Sequence, residues 1–321
     1  MSRHVTVSCV TAAPLPLGAE TDIEAAIEAE IEHWSERIAA VVGEDPDLIV
    51  LPEAADRPST ATFGGTERLI EYGRARAGRV RDRLAELART HGTTIAYSAL
   101  HFDLDEPLNS TEFIDRTGTV VGSYSKNHLT MGEADDYGLT YATQPGVVDL
   151  DFGRVGTAIC FDLNFEELRD SYKGRGVELM VFSSEYHGGL MQNYWAYSLR
   201  SYFAAAIRPP APSAIVSPLG ETIAESTNYF PQVTSRINLD YALAHLDGHW
   251  DKLAAMKLKY RDGVAIHDPG RLGSVLITAE SPDLSIDDLL AEYEIEQLDD
   301  YLDRARRHRA DRLTAHERNH A

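Results

Sequence analysis

The feature that most limits the possible folds is a short apolar run, Leu48-Ile49-Val50-Leu51, which Pro52 brings to an end. Its residues do not alternate between apolar and polar, so the run is typical of a strand that is covered on both faces. Such strands lie in sheets that are packed between other layers of secondary structure. The run therefore predicts a layered protein with this strand inside a sheet.

Apolar residues in the first part of the chain alternate between helical and strand-like spacing. Over Ile23–Val41 and Leu69–Leu87 they recur every three or four positions, which predicts two amphipathic helices. Residues 4–10 and 93–100 have the pattern of strands, and Thr117-Gly118 separates two strand-like runs as in a β-hairpin. Strands and helices in this order predict an α/β or α+β fold.

The last quarter of the chain differs from the rest. Residues 241–260 and 284–313 have the spacing of helices, with little strand between them. We therefore predict a first domain over residues 1–240 and a helical C-terminal extension over residues 241–321. This extension is expected to pack on the core or to serve oligomerisation.

Composition argues against several classes of protein. The 321 residues carry a formal net charge of −21, whereas binding to nucleic acids or anionic membranes needs clustered Lys and Arg. No apolar run approaches the ~18 residues that span a bilayer, and we recognise no signal segment. With only two cysteines, no disulfide framework is expected. We expect a cytoplasmic protein that acts on a small molecule, without nucleic-acid or membrane partners.

Cys160 is the first candidate for chemistry. The apolar stretch Val155–Ile159 leads to it, and the polar segment Asp162–Glu167 that follows has the character of a helix start. A helix that begins there would place backbone N–H groups and a positive dipole end beside the thiol, which would lower its pKa. Cys9, in contrast, lies within an N-terminal strand, so we assign it a structural role.

Two charged residues resemble Cys160 in following a strand. Glu53 comes directly after Leu51-Pro52, and Lys126 comes after the run Val120–Ser125. In a layered α/β protein, side chains at the ends of adjacent strands converge on one crevice. We therefore expect a carboxylate, an ammonium and a thiol to meet there, rather than to be separate surface charges.

These three groups form a complete set for acyl transfer. A carboxylate whose pKa is raised by burial takes the thiol proton and later gives it to a leaving amine. An ammonium stabilises the developing oxyanion, helped by the backbone N–H that follows the nucleophile. The thiolate attacks an electrophilic carbon, and water releases the acid. A Cys-His-Asp mechanism leaves the carboxylate and the ammonium unexplained, and nothing selects among its candidate bases His187, His245, His249 and His267.

Taken together, the motifs resemble those of the nitrilase superfamily of carbon–nitrogen hydrolases. That family has a strand ending in Pro-Glu, a Lys-x-His-Leu segment, and a Gly-x-x-x-Cys-x-Asp segment with a nearby Phe-x-Glu. In this chain they read Leu51-Pro52-Glu53, Lys126-Asn127-His128-Leu129, Gly156–Asp162 and Phe165-Glu166-Glu167. The resemblance extends over His4–Leu239 and does not cover the C-terminal helices.

The resemblance implies a four-layer α-β-β-α sandwich, assembled as a homodimer or higher homo-oligomer, with neither a metal nor an organic cofactor. It makes Glu53 the general base and acid, Lys126 the oxyanion stabiliser and Cys160 the nucleophile. The backbone N–H of Phe161 completes the implied oxyanion hole. Many relatives have a second glutamate after the lysine, and Glu133 is the best local match; an exposed loop glutamate is the alternative.

A segment after the next strand departs from the family pattern. Relatives commonly have an Asn-Pro-like, Trp-containing loop there, whereas this chain has the run Ser183–Gly189. Because loops at strand ends often carry function, we expect Glu185, Tyr186 and His187 to contact the substrate and to favour a polar or charged acyl group. For His187 the alternative is capping of the following helix. The rigid, Pro-rich connection Arg208–Pro212 is a second departure.

The predicted activity is hydrolysis of a non-peptide carbon–nitrogen bond in a small aliphatic amide or an N-carbamoyl compound. A nitrilase that attacks a nitrile through a thioimidate is the main alternative, because the residue types do not separate amide from nitrile. An acyltransferase is less expected, since such relatives are commonly attached to membrane spans. A silent binding or assembly protein that keeps the fold is the alternative of another class, and the presence of all three predicted catalytic residues argues against it.

Overall fold

The apolar run that ends at Pro52 forms a strand inside a sheet, as predicted. The computed structural model describes the backbone of residues 2–320 and the side chains of residues 2–316. In it, strands β1 (His4–Cys9), β2 (Leu48–Val50) and β3 (Thr94–His101) lie side by side in parallel. All residues of β2 are fully buried. Strand β2 therefore has a neighbour on each edge and is covered on both faces.

Two six-stranded sheets form the centre of Val5–Ile237 in the part of the chain that the structure describes. Each contains three consecutive parallel strands, extended by antiparallel partners. In spatial order, the first sheet contains β5 (Val120–Ser125), β4 (Leu108–Ile114), β3, β2, β1 and β12 (Val233–Asn238). The second contains β6 (Gly146–Leu150), β7 (Gly153–Ile159), β8 (Leu179–Ser184), β9 (Tyr202–Ile207), β10 (Ala214–Val216) and β11 (Thr222–Glu225).

The two sheets stack face to face, and helices cover them. Strand β2 packs against β8 and β9, and the Ser183 hydroxyl donates a 2.8 Å hydrogen bond to the carbonyl of Leu51. Helices α1 to α3 pack together on the first sheet and α6 packs on the second. The helices are α1 (Ile23–Ala39), α2 (Thr66–Arg76), α3 (Arg79–His91), α4 (Met131–Asp135), α5 (Glu166–Ser171) and α6 (Leu190–Leu199). The implied four-layer α-β-β-α sandwich is thus confirmed.

The prediction of one helix over Leu69–Leu87 was wrong. The apolar residues keep a helical spacing throughout, but the chain forms two helices with a break between them. Ala77, between α2 and α3, has a φ of 42° and interrupts the helix. The buried Arg76 at the end of α2 donates hydrogen bonds to the Asp56 carboxylate (2.9 Å) and the Tyr97 hydroxyl (2.6 Å). These tertiary contacts override the local helical preference.

Residues 2–4 and 238–320 form a second unit with its own apolar core. It contains the antiparallel strands β13 (Tyr241–His245), β14 (Val264–His267) and β15 (Ser274–Ala279) and the helices α7 (Trp250–Tyr260), α8 (Ile286–Tyr293) and α9 (Leu298–His320). The expectation of helices with little strand between them was therefore wrong for 241–245 and 264–279, because periodicity does not separate short buried strands from helices. A helical C-terminus is present, whereas the boundary at residue 240 and the role of this unit stay predictions.

Truncation of the fully buried Ile49 in β2 by Ile49→Ala is expected to lower the free energy of unfolding by about 2–5 kcal/mol, because it removes contacts on one face and leaves a cavity. The matched control is Val121→Ala in the edge strand β5, where the side chain is 44% exposed and the expected loss is below about 1 kcal/mol. Denaturant unfolding of both variants measures the difference. Equal losses would contradict the central position of β2.

Candidate active site

Three strand ends converge on one cavity of about 220 Å³. Glu53 follows β2, Lys126 follows β5 and Cys160 follows β7, and all three line this cavity. Glu133 and Glu185 lie on its wall as well. The other lining residues are Ala54, Arg57, Leu100, Asn109, Thr130, Gly132 and Tyr137. The structure thus brings together the carboxylate, ammonium and thiol that the sequence placed at strand ends.

Lys126 lies at the centre of the polar side of the cavity. Its side chain is 1% exposed, and Nζ donates hydrogen bonds to Oε1 of Glu53 (2.7 Å) and to both carboxylate oxygens of Glu133 (2.8 Å each). Burial alone would lower the lysine pKa, but the charges of Glu53 and Glu133 raise it above its usual value. Lys126 is therefore an ammonium.

Glu133 is positioned by the start of α4. Thr130 and Glu133 form a capping box, in which the Thr130 hydroxyl accepts from the Glu133 N–H (3.3 Å) and Oε2 of Glu133 accepts from the Thr130 N–H (2.8 Å). The same carboxylate binds Lys126. Of the two possibilities left open by the sequence, the structure favours a glutamate at the site over an exposed loop glutamate.

Asn109 is part of the site, although the sequence analysis did not single it out. It is 1% exposed at the start of β4, and its Nδ2 donates to Oε1 of Glu53 and to Oε1 of Glu133, at 2.8 Å each. Its backbone carbonyl accepts a 2.8 Å hydrogen bond from the backbone N–H of Lys126. Asn109 therefore connects both glutamates and the lysine. A polar residue in a buried strand is the only signal that the sequence offers for it.

The protonation of Glu53 differs from the expectation. Burial raises the pKa of this carboxyl group, but the charge of Lys126 and hydrogen bonds from Cys160, Lys126 and Asn109 outweigh burial and lower the pKa below its usual value. The backbone N–H of Glu185 also donates to its Oε2, at 3.2 Å. Glu53 is therefore an ionised carboxylate that can accept a proton, although the condition set by the sequence analysis, a pKa raised by burial, is not met.

Cys160 lies half-buried in a strained turn. Its φ of 48° is in the left-handed region, which costs a non-glycine residue about 1 kcal/mol or more. The residues Cys160–Asn164 form a 3₁₀ turn, and the α-helix begins only at Glu166. Burial and then the charge of Glu53 raise the thiol pKa, more than Lys126 lowers it. The expectation of a pKa lowered by a helix start was therefore wrong, and Cys160 is a neutral thiol.

A buried aspartate fixes this turn. Asp162 is fully buried, and its Oδ2 accepts from the backbone N–H of Ile159 (3.0 Å) and from the hydroxyl of Tyr124 (2.7 Å). Its Oδ1 accepts from the backbone N–H of His128 at 2.9 Å. The Lys-x-His-Leu and Cys-x-Asp motifs are therefore joined directly, which sets Lys126 and Cys160 relative to each other.

The side chains of Phe161, Tyr186 and His187 are not among those that line the cavity, and their contacts with substrate stay predictions. The Tyr186 hydroxyl accepts a 3.0 Å hydrogen bond from Asn164, and Nδ1 of His187 accepts one of 3.1 Å from the N–H of Gly189, next to the start of α6. This contact involves the residue before α6 and not an N–H of its first turn, so the choice between substrate contact and helix capping stays open for His187. The implied role of Phe161 concerns its backbone N–H, beside Cys160.

Two arginines border the site and were missed by the sequence analysis. Arg57 lines the cavity, and Arg208 is buried behind it at the start of the Pro-rich connection. Both form ion pairs with Glu185. An arginine in a loop carries no sequence signal of its own, because most are solvated surface residues.

The make-up of the cavity wall also bears on a mechanism with a histidine base. Among the described side chains that line the cavity there is no histidine. Within residues 2–316, no group of three His, Cys, Asp or Glu side chains is suited to hold a metal ion. In the described part of the chain, no helix is both long and apolar enough to cross a membrane.

Comparison with known proteins decides the family. The family model described as carbon-nitrogen hydrolase matches residues 6–242. The chain belongs to this family. Omega-amidase NIT2 of Xenopus tropicalis is 26% identical to the hydrolase over 220 residues, which are 60% of this chain and 77% of that protein. The chloroplastic omega-amidase of Arabidopsis thaliana is 27% identical over 231 residues, which are 65% of this chain and 54% of that protein.

Solved structures share the fold of the hydrolase. An amidase from Nesterenkonia sp. superposes with a TM-score of 0.62 at 17% identity, over 74% of this chain and 90% of that one. Saccharomyces cerevisiae Nit3, a member of the nitrilase superfamily, superposes with a TM-score of 0.60 at 16% identity, over 84% of this chain and 97% of its own. The hydrolase therefore has the nitrilase fold, and its family makes it a carbon-nitrogen hydrolase.

Replacing Glu133 by Gln is expected to lower kcat/KM about 10- to 100-fold, because Lys126 loses one of its two carboxylate partners and meets an amide instead. Ammonia release from an amide that the wild-type enzyme hydrolyses measures the effect. Glu44→Gln, at an exposed position, is the matched control and is expected to have wild-type activity. Unchanged activity of Glu133→Gln would show that Glu133 does not support Lys126.

The protonation of the thiol can be tested by alkylation. Because burial and Glu53 raise the pKa of Cys160, its alkylation by iodoacetamide is expected to rise with a midpoint above pH 9. Glu53→Gln removes a negative charge beside the thiolate, so this midpoint should move to lower pH. Peptide mass spectrometry follows Cys160 separately from Cys9, and Cys160→Ala is the blank. A midpoint below pH 8 in the wild-type enzyme would contradict a neutral thiol.

Proposed function

We propose that this amidase-type hydrolase cleaves a small aliphatic amide or an N-carbamoyl compound through an acyl-enzyme on Cys160. The observation that carries the proposal is that Glu53, Lys126 and Cys160 line one cavity, with Lys126 hydrogen-bonded to Glu53 at 2.7 Å. A cavity of about 220 Å³ is below the usual range for drug-sized ligands, which supports a small substrate.

In the first step the thiol of Cys160 is deprotonated as it attacks. Glu53 is ionised and interacts with the thiol, so it accepts the proton while sulfur forms a bond to the carbonyl carbon. The carbonyl π electrons move to oxygen, which becomes an oxyanion. Lys126 and the backbone N–H of Phe161 are the donors we assign to this oxyanion.

The tetrahedral intermediate then expels the nitrogen. Glu53, now protonated, gives its proton to the leaving nitrogen, the carbon–nitrogen bond breaks, and ammonia or an amine is released. Glu53 is again ionised and takes a proton from water as the water attacks the acyl-enzyme. The carbon–sulfur bond breaks, the carboxylic acid leaves, and the proton held by Glu53 returns to the thiolate.

Replacing residues of the proposed triad tests this mechanism. Cys160→Ala and Glu53→Gln are expected to lower ammonia release at least 1000-fold, by about 4 kcal/mol of transition-state stabilisation. Cys9→Ala is the matched control, because Cys9 is the second free cysteine and lies buried in β1, outside the cavity lining. Intact-protein mass spectrometry of the wild-type enzyme with amides, carbamoyl amino acids and nitriles should show an acyl adduct that Cys160→Ala lacks.

The outcomes of that panel separate the alternatives. Turnover of nitriles without turnover of amides would make the protein a nitrilase that forms a thioimidate. Full activity of Glu53→Gln would show that Glu53 is not the base. A histidine would then have to take that role. Neither an adduct nor ammonia release across the panel would favour a binding protein that keeps the fold.

Location and assembly complete the proposal. We infer a cytoplasmic enzyme that works as a homodimer or higher homo-oligomer. Leu190 (75% exposed) and Tyr194 (39% exposed) lie one turn apart on α6, and this exposed apolar pair supports the inference of an interface. Native mass spectrometry of the full chain measures the oligomeric state.

A further inference from the structure

The segment that carries Glu53 is buried but has no regular secondary structure. Strand β2 ends at Val50, and each of residues 53–56, the Glu53 turn, is at most 4% exposed. Ala54, directly after Glu53, has a φ of 46°, in the left-handed region that strains a non-glycine residue. Backbone carbonyls in a buried turn need donors from other parts of the molecule. The position of Glu53 therefore depends on the groups that bind this turn.

Arg208 donates to three consecutive carbonyls of the Glu53 turn. Its Nε donates to the carbonyl of Glu53 at 3.2 Å, and its Nη2 donates to the carbonyls of Ala54 and, at 3.2 Å, Ala55. Nε and Nη2 lie on the same edge of the planar guanidinium, so one rigid group binds neighbouring carbonyls together. The peptide planes on both sides of the strained Ala54 are thereby fixed.

Arg208 is itself anchored in the second sheet. It follows β9 directly, and its backbone N–H donates to the carbonyl of Ser184, the last residue of β8, at 3.0 Å. Its side chain is 5% exposed, and its Nε forms an ion pair with the Glu185 carboxylate at 3.1 Å. The next residue, Pro209, favours an extended backbone at Arg208. Arg208 therefore connects the second sheet to the turn that follows β2 in the first.

The carboxylate of Glu53 needs an accurate position because several groups share it. Its Oε1 accepts from Lys126 (2.7 Å) and Asn109 (2.8 Å), and its Oε2 accepts from the backbone N–H of Glu185 (3.2 Å). The same carboxylate has to reach the thiol of Cys160. A shift of the turn would move it away from the thiol, and a displacement of about 1 Å can lower a rate about 100-fold.

We propose that Arg208 is a positioning residue, which holds the strained Glu53 turn so that the carboxylate of Glu53 lies where it can take the proton of Cys160. Arg208 does not line the cavity, so it acts through Glu53 and not on the substrate. The property that matters is the rigid edge of the guanidinium, since a lysine ammonium is a single donor centre on a flexible stem. This inference rests on the proposed function.

Two substitutions in the full-length enzyme separate geometry from charge. Arg208→Lys keeps the positive charge beside Glu185 but cannot bind three carbonyls together, and Arg208→Met removes both charge and donors. For a small aliphatic amide that the wild-type enzyme hydrolyses, kcat is expected to fall about 10- to 100-fold in Arg208→Lys and at least as far in Arg208→Met. KM should change less than about 3-fold, because the cavity lining keeps its residues.

Alkylation of Cys160 by iodoacetamide gives a second measurement that needs no turnover. When the turn relaxes and the Glu53 carboxylate moves away, the thiolate is repelled less. The pH midpoint of alkylation in Arg208→Lys is therefore expected to move down, toward that of Glu53→Gln. Adding Arg208→Lys to Glu53→Gln should not move the midpoint further, because both changes act through one carboxylate. A residue that only stabilises the fold would not show this dependence.

A matched control and the possible failures complete the test. Arg169→Lys replaces another buried arginine, 4% exposed and paired with Asp170 at 2.8 Å on α5, and should keep the wild-type kcat and midpoint. Wild-type kcat in Arg208→Lys, or a midpoint shift that is equal with and without the Glu53 carboxylate, would overturn the role of Arg208. Full activity of Glu53→Gln would instead contradict the proposed function. Thermal unfolding checks each variant, and Arg208→Lys decides the question if Arg208→Met does not fold.

Discussion

The ammonium group of Lys126, buried in the nitrilase fold, is the constraint on which the site depends. An isolated charge is very costly to bury, so the group requires partners with good geometry. Glu53 and Glu133 meet this requirement, and the donors around them satisfy their remaining lone pairs, with Asn109 bonded to both carboxylates. Removing any one member leaves another buried polar group unsatisfied. The pairing of these buried charges therefore holds the strand ends together as much as apolar packing does.

The sequence predicted the layered fold and the meeting of three strand ends because those properties are encoded locally. A run such as Leu48–Leu51 is compatible with few environments, and Glu53, Lys126 and Cys160 each follow a strand directly. Parallel strands then bring their ends to one edge, whatever the details of packing. The family motifs supplied the roles of these residues. The order of residues along the chain was therefore sufficient to predict the layered fold and the meeting of the three strand ends.

The rest depended on distances between residues that are remote in sequence. Asn109 lies 56 positions from Glu53, and Arg57 meets Glu185 across 128 positions, so neither contact leaves a local pattern. The directions of the pKa shifts of Glu53 and Cys160 could not be predicted for the same reason. Burial and a helix start can be estimated from a segment, but the charge of Lys126 beside Glu53 and that of Glu53 beside Cys160 come from other strands. Electrostatics of a site is a property of its three-dimensional neighbours.

The capping box of α4 links local folding to the state of the site. Five residues are too few for a helix that is stable by itself, so α4 relies on its cap and its surroundings. Glu133, the partner of the N-cap Thr130 in this capping box, is also bound to Lys126. The segment and the lysine thus order each other, and a loop transplanted here from a relative would have to carry an equivalent glutamate in the same helical turn. Substitutions in this loop are consequently limited by the contact of Glu133 with Lys126, which follows another element, β5.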